Sequence, residues 1–405
     1  LAAKTGADLL KATPTGPNGR VIEREEDLDL IDFERPIFFL SQTTQRVSLF
    51  WALAERMRER LIFIADKLYK NHSLALEEYA ELIDGYDAEM EELLAKRARA
   101  VREEIYGKDV FIRGLIEISN YCKNDCFYCG IRRSNKTCER YRLSREEILS
   151  CCEEGYALGF RTFVMQGGED AFYADDFLCD LIKEMKVTYP NCAGTLSLGE
   201  RGKESFVRLF EAGADRYLLR HETADEEHYA SLHPAELTLA NRLQALRDLK
   251  EIGFQTGCGF MVGSPGQTTE TLAKDLKWIE EFQPAMCGIG PFIPHHATQF
   301  AEDKAGDVGL TCYLLSIIRL IKPNILLPAT TALATLDEKG CEKGILAGAN
   351  VVMPNLSPMS AKQKYELYDN KAYGGSEAAK NMEELKARMD AIGYRVVTDR
   401  GDVRG

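Results

Sequence analysis

Three cysteines, Cys122, Cys126 and Cys129, are separated by three residues and then two in the run Ile118-Ser-Asn-Tyr-Cys-Lys-Asn-Asp-Cys-Phe-Tyr-Cys-Gly-Ile-Arg-Arg133. Thiolates this closely spaced can hold an iron–sulfur cluster. A cubane cluster usually takes four cysteine ligands, so a loop offering three leaves one iron open to a non-protein ligand, and chemistry can happen there. A structural zinc site is the competing reading; it needs a fourth Cys or His, for which Cys138 is the candidate. A disulfide framework fits less well, because the rest of the twelve cysteines are scattered and no secretory segment implies an oxidising compartment.

Something must hold that loop. From residue 111 onward, short apolar runs alternate with longer amphipathic segments, the pattern of βα units in a parallel sheet. Eight strands are expected: Phe111–Ile118, Thr162–Gln166, Gly194–Leu198, Arg216–Arg220, Gln255–Val262, Cys287–Phe292, Leu326–Ala332 and Ala349–Met353. Between them, Ser144–Leu158, Leu237–Ile252 and Thr268–Phe282 have helical spacing, and Gly159 and Gly253 suit left-handed caps. The fold class is therefore α/β, a (β/α)8 TIM-type barrel with a helical N-terminal extension; a six-unit partial barrel is the runner-up.

Active sites of such barrels lie at the C-terminal ends of the strands, and the polar residues of this chain gather there. The cysteine loop follows strand one, Gln166-Gly167-Gly168-Glu169-Asp170 follows strand two, and Thr195-Leu-Ser197-Leu-Gly-Glu200 ends strand three. The two glycines would let backbone approach a ligand closely. Strand four ends in Tyr217-Leu-Leu-Arg220-His-Glu222-Thr223. Arg220 and Glu222 are two apart, so both can face the lumen, where an unpaired charge needs a ligand or a partner. The alternative is an Arg220–Glu222 ion pair that plugs the barrel top. His221 and His295 sit at strand ends with no nearby His/Cys/Asp spacing, so each is expected to be a neutral, hydrogen-bonded histidine. Cys258, Cys287 and Cys312 read as small buried hydrophobes.

A chain of 405 residues with 45% apolar content can bury a large core. Its net charge of −13 argues against nucleic acid or an anionic membrane as the main partner. The longest apolar stretch, residues 313–327, is broken by Arg319, Lys322 and Pro323, and the N-terminus has no basic-then-apolar signal pattern, so a cytoplasmic location without membrane spans is expected.

The loop, with Tyr128 just before its last cysteine, resembles the radical S-adenosylmethionine (SAM) superfamily. The resemblance narrows to the HydE family of [FeFe]-hydrogenase maturases through Tyr128-Cys-Gly-Ile-Arg-Arg-Ser-Asn135, Ser197-Leu-Gly-Glu200, Ala214-Asp-Arg-Tyr-Leu-Leu-Arg-His-Glu-Thr223, Gly263-Ser-Pro-Gly-Gln-Thr268, Gly288-Ile-Gly-Pro-Phe-Ile-Pro-His295, Pro328-Ala-Thr-Thr331 and Ala349-Asn-Val-Val-Met-Pro-Asn355. It implies that Cys122, Cys126 and Cys129 ligate one [4Fe–4S] cluster, and that reductive cleavage of SAM gives a 5′-deoxyadenosyl radical. Tyr128, Gly167, Gly168, Glu169, Ser197, Glu222 and Arg242 would contact SAM, and Arg220, Thr330, Thr331 and Tyr365 would line the substrate end. For the two threonines, ordinary capping is the alternative. The implied substrate is an iron–carbonyl–cyanide–cysteine complex made by the maturase HydG. HydF and HydG are the implied protein partners, with ferredoxin or flavodoxin as electron donor. Some HydE members carry three further cysteines near the C-terminus; Lys371 to Asn381 holds none, which predicts a single cluster.

Three other readings stand beside this one. A methylornithine synthase-like mutase shares the scaffold, and a non-catalytic cluster carrier would bind iron without turning over SAM. Biotin synthase would carry Tyr-Asn-His-Asn where this chain has Leu218-Leu-Arg-His-Glu222. Residues 1–30 resemble part of the peripheral subunit-binding domain of 2-oxo acid dehydrogenase acyltransferases, and residues 32–45 a segment of the hydroxymethylbutenyl diphosphate reductase family. Two unrelated fragments predict a composite extension over residues 1–60 without function rather than a docking module. A helical segment over 65–106, a barrel over 108–355 and a closing segment over 356–405 complete the expected organisation.

Overall fold

The computed structural model describes residues 20–22, 37–39, 43–371 and 378–405. Apart from two short parallel strands, Arg20–Ile22 and Ile37–Phe39, and the start of a helix over Thr43–Asn71, the N-terminal fragments lie outside the described residues, as does the stretch 372–377. Two more helices, Leu76–Asp84 and Ala88–Tyr106, lead to the sheet.

Six staves pair in parallel and in chain order: Gly114–Ser119, Thr162–Gly167, Ala193–Ser197, Arg216–Leu218, Gln255–Cys258 and Met286–Cys287. Two shorter staves close the ring. Parallel bridges join Met286 to Leu326, Pro328 to Val351, and Asn355 to Leu115, with Leu356 N donating to Leu115 O at 2.7 Å. The sheet is thus an eight-staved barrel rather than a six-unit arc. The expected seventh strand ends early: Pro328 has no N–H to extend the ladder, and a helix begins at Thr331 and runs to Leu336. The eighth pairs only over Val351–Val352.

Local chemistry sets the helices between staves. Ser144 and Glu147 form a reciprocal capping box ahead of Arg145–Ala157, and Thr238 caps Leu239–Ile252, which ends at Gly253 with φ 111°. The helix Val308–Ile321 is buried from Thr311 onward, so its apolar run is core sequence covered partly by Ala88–Tyr106. Among the described residues no helix is long and apolar enough to cross a membrane.

The C-terminus seals the barrel floor. Arg395–Val397 pairs in parallel with the strand Asp109–Ile112, and the tail beyond it lies across the N-terminal ends of the staves. There the fully buried Arg216 guanidinium donates to Thr162 Oγ1 and Arg400 O, each at 2.9 Å, and to the Asp402 carboxylate. Burial alone would raise the Asp402 carboxyl, but Arg400 and Arg216 outweigh burial and hold it down at about 2, against an ordinary 3.8. A depressed carboxyl stabilises the fold above its unfolded pKa and loses that contribution as pH falls through its folded pKa. Asp402→Asn is therefore expected to cost about 1 kcal/mol at neutral pH, after allowing for Asp402's exposure, and the gap from the parent should vanish between about pH 4 and pH 2. Denaturant midpoints across that range check it; a gap independent of pH would contradict it.

Candidate active site at the barrel mouth

The loop over residues 120–142 has almost no regular structure, so side chains hold it. Arg140 donates to the carbonyls of Ile131 and Arg132 at 2.7 Å and of Asn135 at 3.2 Å, and also to Asn120 O. The buried Asn120 reaches Glu139 O and Lys364 O and accepts from Tyr141 N. Arg142 grips Asp170 with two bonds of 2.7 and 2.9 Å, tying the loop to the turn after stave two. A side chain at Gly168 would place its Cβ 2.2 Å from Tyr121 O, so only glycine permits this close backbone approach to the loop.

These contacts bring the three cysteines to one cavity of about 320 Å³ in the barrel mouth. All the residues expected from sequence line it: the cysteines, then Tyr128, Gly167, Gly168, Glu169, Ser197, Glu222 and Arg242, then Arg220, Thr330, Thr331 and Tyr365. The cysteines are half-buried because they border this space. Glu169 N donates to Cys122 Sγ at 3.4 Å. Burial pushes all three thiols up, Cys126 to about 12, and the neighbouring sulfurs push Cys126 and Cys129 further. Thiols crowded so closely exchange protons for a cation or cluster. Among the described residues, no fourth Cys and no His lines the cavity, and Cys138 stands apart beside Arg140 and Glu366. Three sulfur donors fit a cluster with an open iron and leave a zinc site one ligand short.

Among the described residues, several polar atoms around this space are buried and lack hydrogen bonds: Arg220 Nε and Nη2, Glu222 Oε2 and Thr330 Oγ1. Glu169 Oε2 also lacks one but lies 3.1 Å from Lys123 Nζ. Arg220 Nη2 and Glu222 Oε2 are 3.0 Å apart yet misaligned for hydrogen bonding, so the pair is close without being a satisfied plug. Buried polar atoms left without hydrogen bonds are costly unless a ligand meets them. Thr330 occupies the N-cap position of Thr331–Leu336 but its hydroxyl makes no cap bond, which removes the capping alternative for that residue. Tyr365 OH accepts from Gln166 Nε2 at 3.4 Å. Arg242 donates through Nη1 to Arg220 O at 2.7 Å and pairs through Nε with Glu200.

Tyr128 lies edge-on to His233, whose ring stacks on Tyr229. His233 Nδ1 donates to Tyr229 O at 2.9 Å, so Nε2 can accept from Tyr128 OH at 3.4 Å. Burial lowers His233 to about 4 and keeps it neutral. Sequence reading missed the Glu117–Lys371 pair, both buried and on the cavity wall, with Asn355 Nδ2 donating to Glu117 at 2.8 Å. The signal was a carboxylate between Ile116 and Ile118 in an apolar run. Glu200 was named at the end of strand three without a role, and Arg140 was missed.

His295 is not isolated from other ligand types as expected: His295, His296 and Asp369 offer donor atoms within 4.8 Å of one another. Asp369 is too far along the chain for spacing to reveal it. The trio still does not suit a metal. Ala297 N donates to His295 Nδ1 at 3.0 Å, which fixes the proton on Nε2, the nitrogen nearer Asp369. A ligating histidine has the reverse arrangement.

Residues 116–279 match the family model of the radical SAM superfamily. Over 285 residues the chain is 45% identical to the [FeFe] hydrogenase maturase subunit HydE of Thermotoga maritima (strain MSB8), a match covering 70% of this chain and 81% of that protein. It is 28% identical to a 3-methylornithine synthase of Methanosarcina acetivorans over 83% of this chain and 94% of that one. Among solved structures, methylornithine synthase (PylB) superposes with a TM-score of 0.73 at 26% identity, covering 82% of this chain and 97% of that one. With this cysteine loop at this barrel mouth, the chain belongs to the HydE family of [FeFe]-hydrogenase maturases, within the radical SAM superfamily.

Proposed function

We propose that this radical SAM enzyme acts in building the diiron subsite of the hydrogenase H-cluster, with Cys122, Cys126 and Cys129 as the cluster ligands. When bound, the [4Fe–4S] cluster supplies the electron that cleaves SAM to a 5′-deoxyadenosyl radical. Tyr128, Gly167, Gly168, Glu169, Ser197, Glu222 and Arg242 hold SAM. Arg242 suits its carboxylate as a charge-assisted partner, and Glu222 suits the ribose hydroxyls or the sulfonium region. Arg220, Thr330, Thr331 and Tyr365 bind an anionic organometallic substrate received from HydG, with HydF as a further partner and a ferredoxin or flavodoxin as electron donor. The barrel over 108–355 does the chemistry, the helices over 65–106 brace it and 356–405 closes it. The cytoplasm suits twelve cysteines that form no disulfide.

The observation that carries this reading is the buried Arg220 Nε and Thr330 Oγ1, neither hydrogen-bonded to the described residues, on the same cavity as three clustered thiols. Enclosure by the barrel would keep away the C–H and thiol donors in solution that quench a radical. The higher identity to HydE, 45% against 28%, favours the maturase over the mutase. Incubating the reconstituted, reduced protein with SAM tests catalysis against a carrier role. 5′-Deoxyadenosine is expected; a fully loaded cluster that yields none would point to the carrier.

A further inference from the structure

Glu222 has φ 66°, a left-handed conformation that is unfavourable for a non-glycine residue. It persists only where its surroundings impose it. Its own amide donates to Gly259 O at 3.0 Å, but the larger constraint comes from behind the stave. Arg220 and Glu222 line the cavity, and His221 between them does not. His221 points into the helix layer, wholly buried, against Trp278 and Phe260. Gly259 N donates to its Nδ1 at 3.4 Å, so the ring proton sits on Nε2 and donates to Asp275 Oδ1 at 3.2 Å. The same oxygen accepts from Ala224 N at 2.5 Å. One carboxylate oxygen on the helix Thr269–Phe282 therefore ties residues 221 and 224, the two sides of the turn that contains Glu222.

This carboxylate is expensive where it is. Asp275 has no exposure, its Oδ2 has no hydrogen bond, and burial pushes its carboxyl up. An apolar residue at that helix position would pack without the penalty, so stability alone does not explain the acid. We propose that Asp275 and His221 are positioning residues: Asp275 Oδ1 clamps the 221–224 turn and thereby aims the Glu222 carboxylate into the SAM cavity. This rests on the reading of Glu222 as a SAM contact.

The test uses protein loaded with its cluster in the oxidised state and titrates it with SAM by calorimetry, which gives Kd without turnover because no electron is present to cleave SAM. Glu222→Gln tests the underlying reading and is expected to weaken SAM binding on the order of tenfold. Asp275→Ala should weaken it by about fivefold or more with iron content unchanged, and Asp275→Asn, whose amide oxygen can accept both bonds, should return Kd to within about twofold of the parent. Leu276→Ala, a cavity on the same helix, should lower Tm and leave Kd alone. If Asp275→Ala does not fold, His221→Phe, which keeps the packing on Trp278, should still raise Kd. The proposal is overturned if Asp275→Ala or His221→Phe binds SAM like the parent while Glu222→Gln does not. It is also overturned if Asp275→Asn is as weak as Asp275→Ala, or if Leu276→Ala weakens binding equally. A parental Kd in Glu222→Gln would instead sink the SAM-contact reading.

Discussion

Cys126→Ala is expected to give a folded protein that holds no complete cluster and produces no 5′-deoxyadenosine. Cys126 is the middle thiol of the three, faces the cavity rather than packed core, and has both other sulfurs and Arg242 in its field. Removing it leaves two sulfur donors, and no other Cys or His among the described residues lines the cavity to replace it. The loop itself should survive, because Arg140, Asn120 and the Arg142–Asp170 pair hold it without the thiols. Iron and sulfide content, the nucleoside assay and Tm separate the two outcomes. Full iron with SAM cleavage in the variant would refute the ligand assignment, and global unfolding would refute the view that side chains hold the loop.

Arg319→Met is expected to produce the largest loss of stability of any single change considered. Arg319 has no exposure and, among the described residues, no carboxylate partner. Its guanidinium serves four acceptors: Gly348 O at 2.9 Å, Pro323 O at 2.8 Å, Ile325 O at 2.6 Å and Asn350 Oδ1 at 3.1 Å. Burial lowers its pKa to about 9, so it stays charged at neutral pH. Methionine fills similar space but leaves those oxygens unmet. At 1–3 kcal/mol for each buried group left unsatisfied, with some relaxation, the loss should be about 3–5 kcal/mol. For a chain of this size that lowers Tm by roughly 4–7 °C. The acceptors straddle staves seven and eight, the weakly paired part of the ring, so hydrogen exchange should rise at Leu326–Pro328 and Val351–Val352 before elsewhere. A Tm within about 2 °C of the parent would show that the buried guanidinium does not hold those staves.

The cysteine loop, the glycines after stave two and the charged end of stave four were all legible from sequence, because each is a local departure from what an apolar strand or helix requires. Arg220 and Glu222 stood out as charges on one face of a lumen strand, and they do face the cavity. Pairings across the barrel were not legible. Lys371 meets Glu117 across 254 residues, and only Glu117 carried a local sign. Asp369 meets His296 across 73, and nothing near either predicts it. Arg140 carried no local sign, because its value lies in carbonyls of a loop whose path no periodicity describes. The expected seventh stave runs past its observed end: beyond Pro328 only Thr330 and Thr331 favour a strand, whereas Ala332, Leu333, Ala334 and Leu336 are good helix formers, and the helix Thr331–Leu336 takes over.

The most direct measurement is in vitro maturation of an apo-[FeFe]-hydrogenase, with HydF, HydG, SAM and reductant supplied and this protein as the sole source of HydE activity. Hydrogen evolution is expected with the parent protein and should be absent with Cys126→Ala. A parent protein that carries its cluster and cleaves SAM yet never activates the hydrogenase would contradict the maturase reading and leave the mutase alternative in its place.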